Sequence, residues 1–214
     1  LAFIIAFFFA MNIGASGTAA SMGSAYGADA IRNKWLAMVL VAIAAFLGAV
    51  LGGGEVVKTI GSGIIPSKIL TIELVVLILA GATLTLFIAN LMGIPLSTSE
   101  VTVGAIVGAG IAYKSLFINS LIVIIAFWII VPVVSFIITF IFGKMIAKSE
   151  KRWPGLTKQG KWKKWLGRIL VLGGCFEAFS AGMNNVANAV GPLVGAGMLS
   201  TSKGIWIGGL FVAI

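Results

Sequence analysis

The sequence predicts an all-α integral membrane protein whose helices are partly discontinuous and partly re-entrant. Three observations predict it. Of the 214 residues, 60% are hydrophobic and only 10% are charged, against about 25% charged in ordinary soluble domains. The mean hydropathy is +1.14, and the apolar residues fall into long runs, several reaching the ~20 residues that a spanning helix needs. Within those runs a glycine-rich polar motif occurs twice. The first copy is Asn12-Ile13-Gly14-Ala15-Ser16-Gly17-Thr18-Ala19-Ala20-Ser21-Met22-Gly23, and the second is Ser180-Ala181-Gly182-Met183-Asn184-Asn185-Val186-Ala187-Asn188-Ala189-Val190-Gly191. A plain spanning helix carries apolar side chains at such places. Repeated polar interruption therefore points to a solute site at the interface of two transporter repeats.

Residues 1 to about 25 form the first hydrophobic segment, and Gly14, Gly17 and Gly23 break its second half. Its start has no basic n-region and no A-x-A cleavage site, so it reads as a first spanning helix lacking its initiator Met, not as a signal peptide. Tyr26 to Lys34 is a polar turn holding Asp29, Arg32 and Lys34. Trp35 opens a second span running to about Val57, in which Gly48 and Gly52-Gly53-Gly54 permit close helix contact. Trp35 beside Lys34 is an expected interface anchor. Gly61 to Lys68 reads as a loop, and Thr71 to about Leu91 as a third span.

Next comes a compact polar interruption, Gly93-Ile94-Pro95-Leu96-Ser97-Thr98-Ser99-Glu100. The apolar stretch Val101 to Ala112 that follows is too short to span. It reads as one arm of a re-entrant hairpin, a backbone tolerated at membrane depth only when buried or lining a cavity. Leu116 to Phe142 is an apolar span with Trp128 and Pro132. A further span begins near Trp165 and runs into the second motif. Lys203 precedes a last span that stops at Ile214 within a hydrophobic run, and this reads as truncated.

The net charge is +9, and it is concentrated. Lys144 to Arg168 holds nine Lys or Arg against one acid, Glu150. This block predicts a cytoplasmic loop obeying the positive-inside rule and touching membrane lipid, with no nucleic acid as partner. The single cysteine, Cys175, lies in an apolar stretch and reads as a packed small residue. There is no histidine, which removes His-based acid–base chemistry and His-containing metal sites. No Walker sequence of the Gly-Lys-Ser or Gly-Lys-Thr kind is present. No cofactor and no metal site are expected, and the chain does not read as an enzyme.

Gly23 and Gly191 lie 168 residues apart. This offset divides the chain into a first transmembrane repeat over 1–150, the basic loop over 144–168, and the start of a second, truncated repeat over 160–214. Hydropathy alone leaves the relative orientation of the two repeats open.

Helix termini inside a membrane bind anions through free N–H groups and the helix dipole. Gly14, Gly17, Gly23, Gly182 and Gly191 would allow close backbone approach, and Ser16, Thr18, Asn184, Asn185 and Asn188 offer hydrogen-bond donors. Ser97, Thr98 and Ser99, just after Pro95, add three hydroxyls. Any one Gly or Ser is explained as well by plain helix packing; three asparagines within five residues are not explained as lipid-facing surface. Glu55, Glu100 and Glu177 lie in or near spans, where a buried carboxylate marks an ion or proton path. Glu100 directly follows the hydroxyl run, whereas Glu55 also fits a structural pair with Lys58 one turn away.

These motifs resemble those of the inorganic phosphate transporter family. That family carries an Asn-Asp-Val-Ala-Asn-Ala core in each of two inverted repeats. The run from Met183 to Gly191 is similar to it, and the run from Ala15 to Gly23 is a degenerate first copy. The family's hairpin run Pro-x-Ser-Thr-Thr-His is matched by Pro95-Leu96-Ser97-Thr98-Ser99-Glu100. The departures are specific. The first-repeat Asn and Asp fall on Ser16 and Gly17, the second-repeat Asp on Asn185, and the hairpin His on Glu100. Loss of the carboxylates argues against the family's sodium site. With the runs Gly52–Ile60 and Phe176–Asn185, this set most resembles the family's bacterial sulfate permease branch.

The resemblance implies an inverted-repeat secondary transporter of the bacterial plasma membrane, with discontinuous helices and re-entrant hairpins meeting near the midplane. It implies a sulfate or related tetrahedral oxyanion bound by Ser16, Gly17, Thr18, Ser97, Thr98, Ser99, Asn184, Asn185 and Asn188. The coupling cation would be a proton rather than sodium, carried by Glu100, Glu55 or Glu177, and the assembly a homodimer. Sulfate lacks a proton to donate and suits a donor site, whereas phosphate gains from an acceptor such as Asp. The alternatives are a phosphate permease of the same family and, further off, an anion channel or a non-transporting scaffold.

Overall fold

A computed structural model describes residues 1–153 and 161–214. Among the described residues five stretches are long and apolar enough to cross a membrane: Ala2–Gly27, Lys34–Ser62, Ile72–Leu91, Ile118–Arg152 and Trp162–Gly195.

The first stretch is discontinuous, as the glycines predict. Helix α1 (Ala2–Ser16) stops at Gly17, a 3-10 segment covers Thr18–Met22, and a short α2 (Gly23–Gly27) follows. At Gly14 an added Cβ would strike the carbonyl oxygen of Val212, so glycine is what lets the end of the chain lie directly on α1. Phe7 stacks on Phe211 at 4.6 Å across the same contact.

Helix α3 (Lys34–Ser62) starts under an Asn33 cap that accepts from the Leu36 N–H at 3.2 Å. It runs past the expected end near Val57, and Gly52-Gly53-Gly54 stays helical. These glycines lose helix propensity but gain a packing partner. Gly52 meets Met183, Gly53 meets Val186, and Gly48 meets the Phe179 carbonyl, all on α7. The loop therefore opens only at Gly63.

Helix α4 (Ile72–Leu91) is capped by Thr71, which accepts from Leu74 N–H at 3.3 Å. It ends in a left-handed Gly93 (φ 69°), with Ile94 N–H returning to Ala89 O at 2.9 Å. Ser97 then caps α5 (Thr98–Ala112), whose 15 residues make the predicted short arm beside α4. A second corner repeats this design. Helix α7 (Lys161–Gly195) ends in a left-handed Gly197 (φ 69°), and Ser200 caps α8 (Thr201–Ala213). Both corners carry the same run, Leu-Ser-Thr-Ser, at 96–99 and 199–202.

Helix α6 (Ile118–Arg152) has no buried residue; Leu121, Ile124 and Trp128 pack partly against the body, and Pro132 lies inside it. Two expectations are corrected here. The basic block is helical on both flanks: α6 continues through Lys144, Lys148, Lys151 and Arg152, and α7 already includes Lys163, Lys164 and Arg168. Lys and Arg are good helix formers, and the stop at Trp153 agrees with the bias of a residue that precedes proline. Residues 154–160 of the expected loop lie outside the described residues. The second polar motif, moreover, is not a break. Residues 180–191 sit inside the unbroken α7, because Gly182 and Gly191 face Ala45 and Ile60 of α3 in close contact and do not turn the chain.

The main core joins α1, α3, α4, α5, α7 and α8 through Phe9, Ile13, Val57, Leu79, Leu86, Ile106, Val190, Leu193 and Val212. A smaller cluster of Met22, Ala37, Val41, Ala44 and Ala178 seats the 3-10 segment between α3 and α7, with Cys175 packed partly against it.

Candidate functional site

The 3-10 segment, the start of α5 and the middle of α7 meet at one buried polar cluster. Asn185 and Asn188, three residues apart on α7, share a face and are 6% and 1% exposed. Asn185 Nδ2 donates to Thr18 Oγ1 at 2.8 Å. Thr98 Oγ1 donates to Asn185 Oδ1 at 3.2 Å. Asn188 Nδ2 donates to Ser99 Oγ at 3.2 Å and to Thr98 Oγ1 at 3.4 Å. Beneath them Thr102 Oγ1 anchors to the Thr98 carbonyl at 2.9 Å.

Five of the nine residues expected to bind substrate are thus brought together: Thr18, Thr98, Ser99, Asn185 and Asn188. The other four are not. Ser16 turns back to the Ile13 carbonyl at 3.2 Å, and Gly17 is exposed at the end of α1. Ser97 spends its oxygen on the Glu100 N–H at 3.4 Å as the α5 cap. Asn184, one residue and about 100° round the helix from Asn185, faces outward and reaches only the Ser180 carbonyl at 3.5 Å.

The three carboxylates also depart from expectation, for none is buried. Glu55 is 85% exposed and pairs with Lys58 at 2.7 Å. Glu177 is exposed on the outer face of α7, and Glu100 is exposed in the first turn of α5 beside Ser99. An acid in the first turn is favoured by the helix dipole without any transport role.

Ser21 lies three residues after Thr18 in the same 3-10 segment, and its hydroxyl is buried with no partner among the described residues. A cavity of about 630 Å³ lies against the same segment, lined by Gly14, Thr18, Met22, Lys34, Met38 and Val212 among others. Of the five clustered residues, Thr18 borders it.

The cluster consists of neutral hydroxyls and carboxamides held between a broken helix, a short arm and an asparagine-bearing helix. The model of the phosphate transporter family matches residues 13–213, which takes in all three elements. The chain belongs to the phosphate transporter family. It is 56% identical over 213 residues to the sulfate permease CysP of Bacillus subtilis, covering 100% of this chain and 59% of that protein. It is 34% identical over 179 residues to a provisionally named phosphate permease of Pyrococcus furiosus, covering 79% of this chain and 43% of the relative. Among solved structures it resembles one described as the sodium-dependent phosphate transporter, with a TM-score of 0.79 and 24% identity, over 99% of this chain and 73% of that one. That likeness confirms the transporter fold. As a family member with five apolar spans, the chain is a multi-pass membrane protein.

Proposed function

We propose that this chain is part of a secondary permease that imports sulfate across the bacterial plasma membrane by alternating access. The observation that carries this reading is the cluster itself: hydroxyls and carboxamides from three elements, with no carboxylate among them. A fully ionised dianion needs donors around it and no acceptor for a proton of its own. The 56% identity to a sulfate permease supports the same choice.

Moving one charge against the potential costs about 2.3 kcal/mol per roughly 100 mV, and a dianion costs twice that, so uptake needs co-transported positive charge. We assign that charge to protons, with Glu100 as carrier. It stands next to Ser99, a member of the cluster, whereas Glu55 is held by Lys58 and Glu177 follows the outward face that Asn184 shares. Radiolabelled sulfate uptake into proteoliposomes under an imposed proton gradient, with and without excess phosphate, tests this reading. Gradient-dependent uptake that ignores phosphate is expected. Uptake abolished by phosphate, or absent until sodium is added, would move the assignment to a phosphate permease.

A further inference from the structure

Counting polar hydrogens in the cluster shows which groups still have one to give. Thr98 has one hydroxyl hydrogen, and it goes to Asn185 Oδ1. Asn188 has two amide hydrogens, and they go to Thr98 and Ser99. Asn185 gives one of its two to Thr18. Thr18 and Ser99 each accept a bond, and among the described residues neither hydroxyl donates one. Their hydrogens are therefore left for a guest. Of the clustered residues Thr18 borders the cavity, which neither Ser99 nor Asn185 lines.

We propose that Asn185 is a positioning residue for Thr18, the clustered residue that borders the cavity. Its carboxamide is strung between two threonines from different elements. By donating to Thr18 Oγ1 it occupies that oxygen's lone pair and turns the Thr18 hydrogen outward. By accepting from Thr98 it withdraws its own carbonyl, which would otherwise repel an oxyanion. Thr18 and Ser99 are the hydroxyls that donate to the guest. The buried Thr18–Asn185 bond holds its geometry because both groups are shut off from water, where an unmade bond is expensive.

This inference rests on the proposed anion transport, and a double-mutant cycle tests it. Equilibrium binding of radiolabelled sulfate, and separately of phosphate, is measured on the purified protein in detergent for wild type, Thr18→Val, Asn185→Ala and the double variant. Each single change is expected to weaken binding about tenfold, the loss of one good donor. The double variant is expected to stay near that same tenfold, because Asn185 has nothing left to position, and Thr18→Ser is expected to restore binding. A double variant weakened about a hundredfold would mean independent contacts and would overturn the proposal. Asn185→Ser repeats the cycle if Asn185→Ala does not stay monodisperse. A wild type that binds phosphate and not sulfate would sink the proposed function, and the cycle is then read with phosphate under the same criterion.

Discussion

Thr98 Oγ1 donates to Asn185 Oδ1 at 3.2 Å, joining the first residue of α5 to the middle of α7 across 87 positions of sequence. The same oxygen accepts from Asn188, so one hydroxyl satisfies two buried amides. Thr98→Val keeps the shape and removes both bonds. We expect a loss of about 1–3 kcal/mol of stability from the stranded amides, with loss of sulfate uptake. Thr201 holds the equivalent place in the second Leu-Ser-Thr-Ser corner, but among the described residues it makes no hydrogen bond to an asparagine of α7. Thr201→Val should leave melting in detergent and uptake near wild type. Equal damage from the two changes would mean that α5 and α8 need their first-turn threonines only as helix starts.

The three hydroxyls of the hairpin, one group to sequence reasoning, divide by role. Ser97 caps α5 and is exposed, while Ser99 meets Asn188. Ser97→Ala should cost about 1 kcal/mol of stability and leave the half-saturating sulfate concentration unchanged. Ser99→Ala should raise that concentration about tenfold with little change in melting. Uptake kinetics beside thermal melts decide the matter, and a shift in affinity from Ser97→Ala would return that residue to the site.

The contact between α3 and α7 is backbone against backbone. An added Cβ at Gly182 would strike the Ala45 carbonyl, while one at Gly81 on exposed α4 surface meets nothing within 4 Å. Gly182→Ala should therefore destabilise by about 1–3 kcal/mol or more, because α7 must move away and take Asn185 with it. Gly81→Ala should stabilise by about 0.5–1 kcal/mol through reduced backbone freedom. Detergent-solubilised melting temperatures of opposite sign are the expected result. A neutral Gly182→Ala would show that the two helices can separate freely.

How much of this could be read in the sequence depended on the range of the signal. The spans followed from hydropathy, and the first break from Gly17, since both are local properties. Whether a glycine breaks a helix or lets one lie on another is not local. Gly17 ends α1, yet Gly182 and Gly191 sit inside α7, because only the latter have α3 alongside. The polar positions were legible as a set. Which of them face inward depends on helix phase, and one residue of phase separates buried Asn185 from exposed Asn184. The flanks of the basic block read as loop although they are helical, because charge reports topology and not backbone conformation.

The proposed proton coupling puts the last prediction on Glu100. The carboxylate stands in the first turn of α5, one residue from Ser99 and two from Thr98, so a change in its charge is felt at the cluster through the α5 terminus. Glu55 sits 85% exposed on α3 with Lys58 at 2.7 Å, an arrangement that contributes little and screens the charge. Glu100→Gln should cut gradient-driven sulfate accumulation by more than about tenfold, while sulfate exchange across the membrane at equal concentrations persists, since exchange needs no net proton movement. Glu55→Gln and Glu177→Gln should retain accumulation. Both fluxes are read in the same proteoliposome preparation. Accumulation that survives Glu100→Gln and fails in Glu55→Gln or Glu177→Gln would transfer the coupling role to that carboxylate, and survival in all three would remove it from this chain's acids altogether.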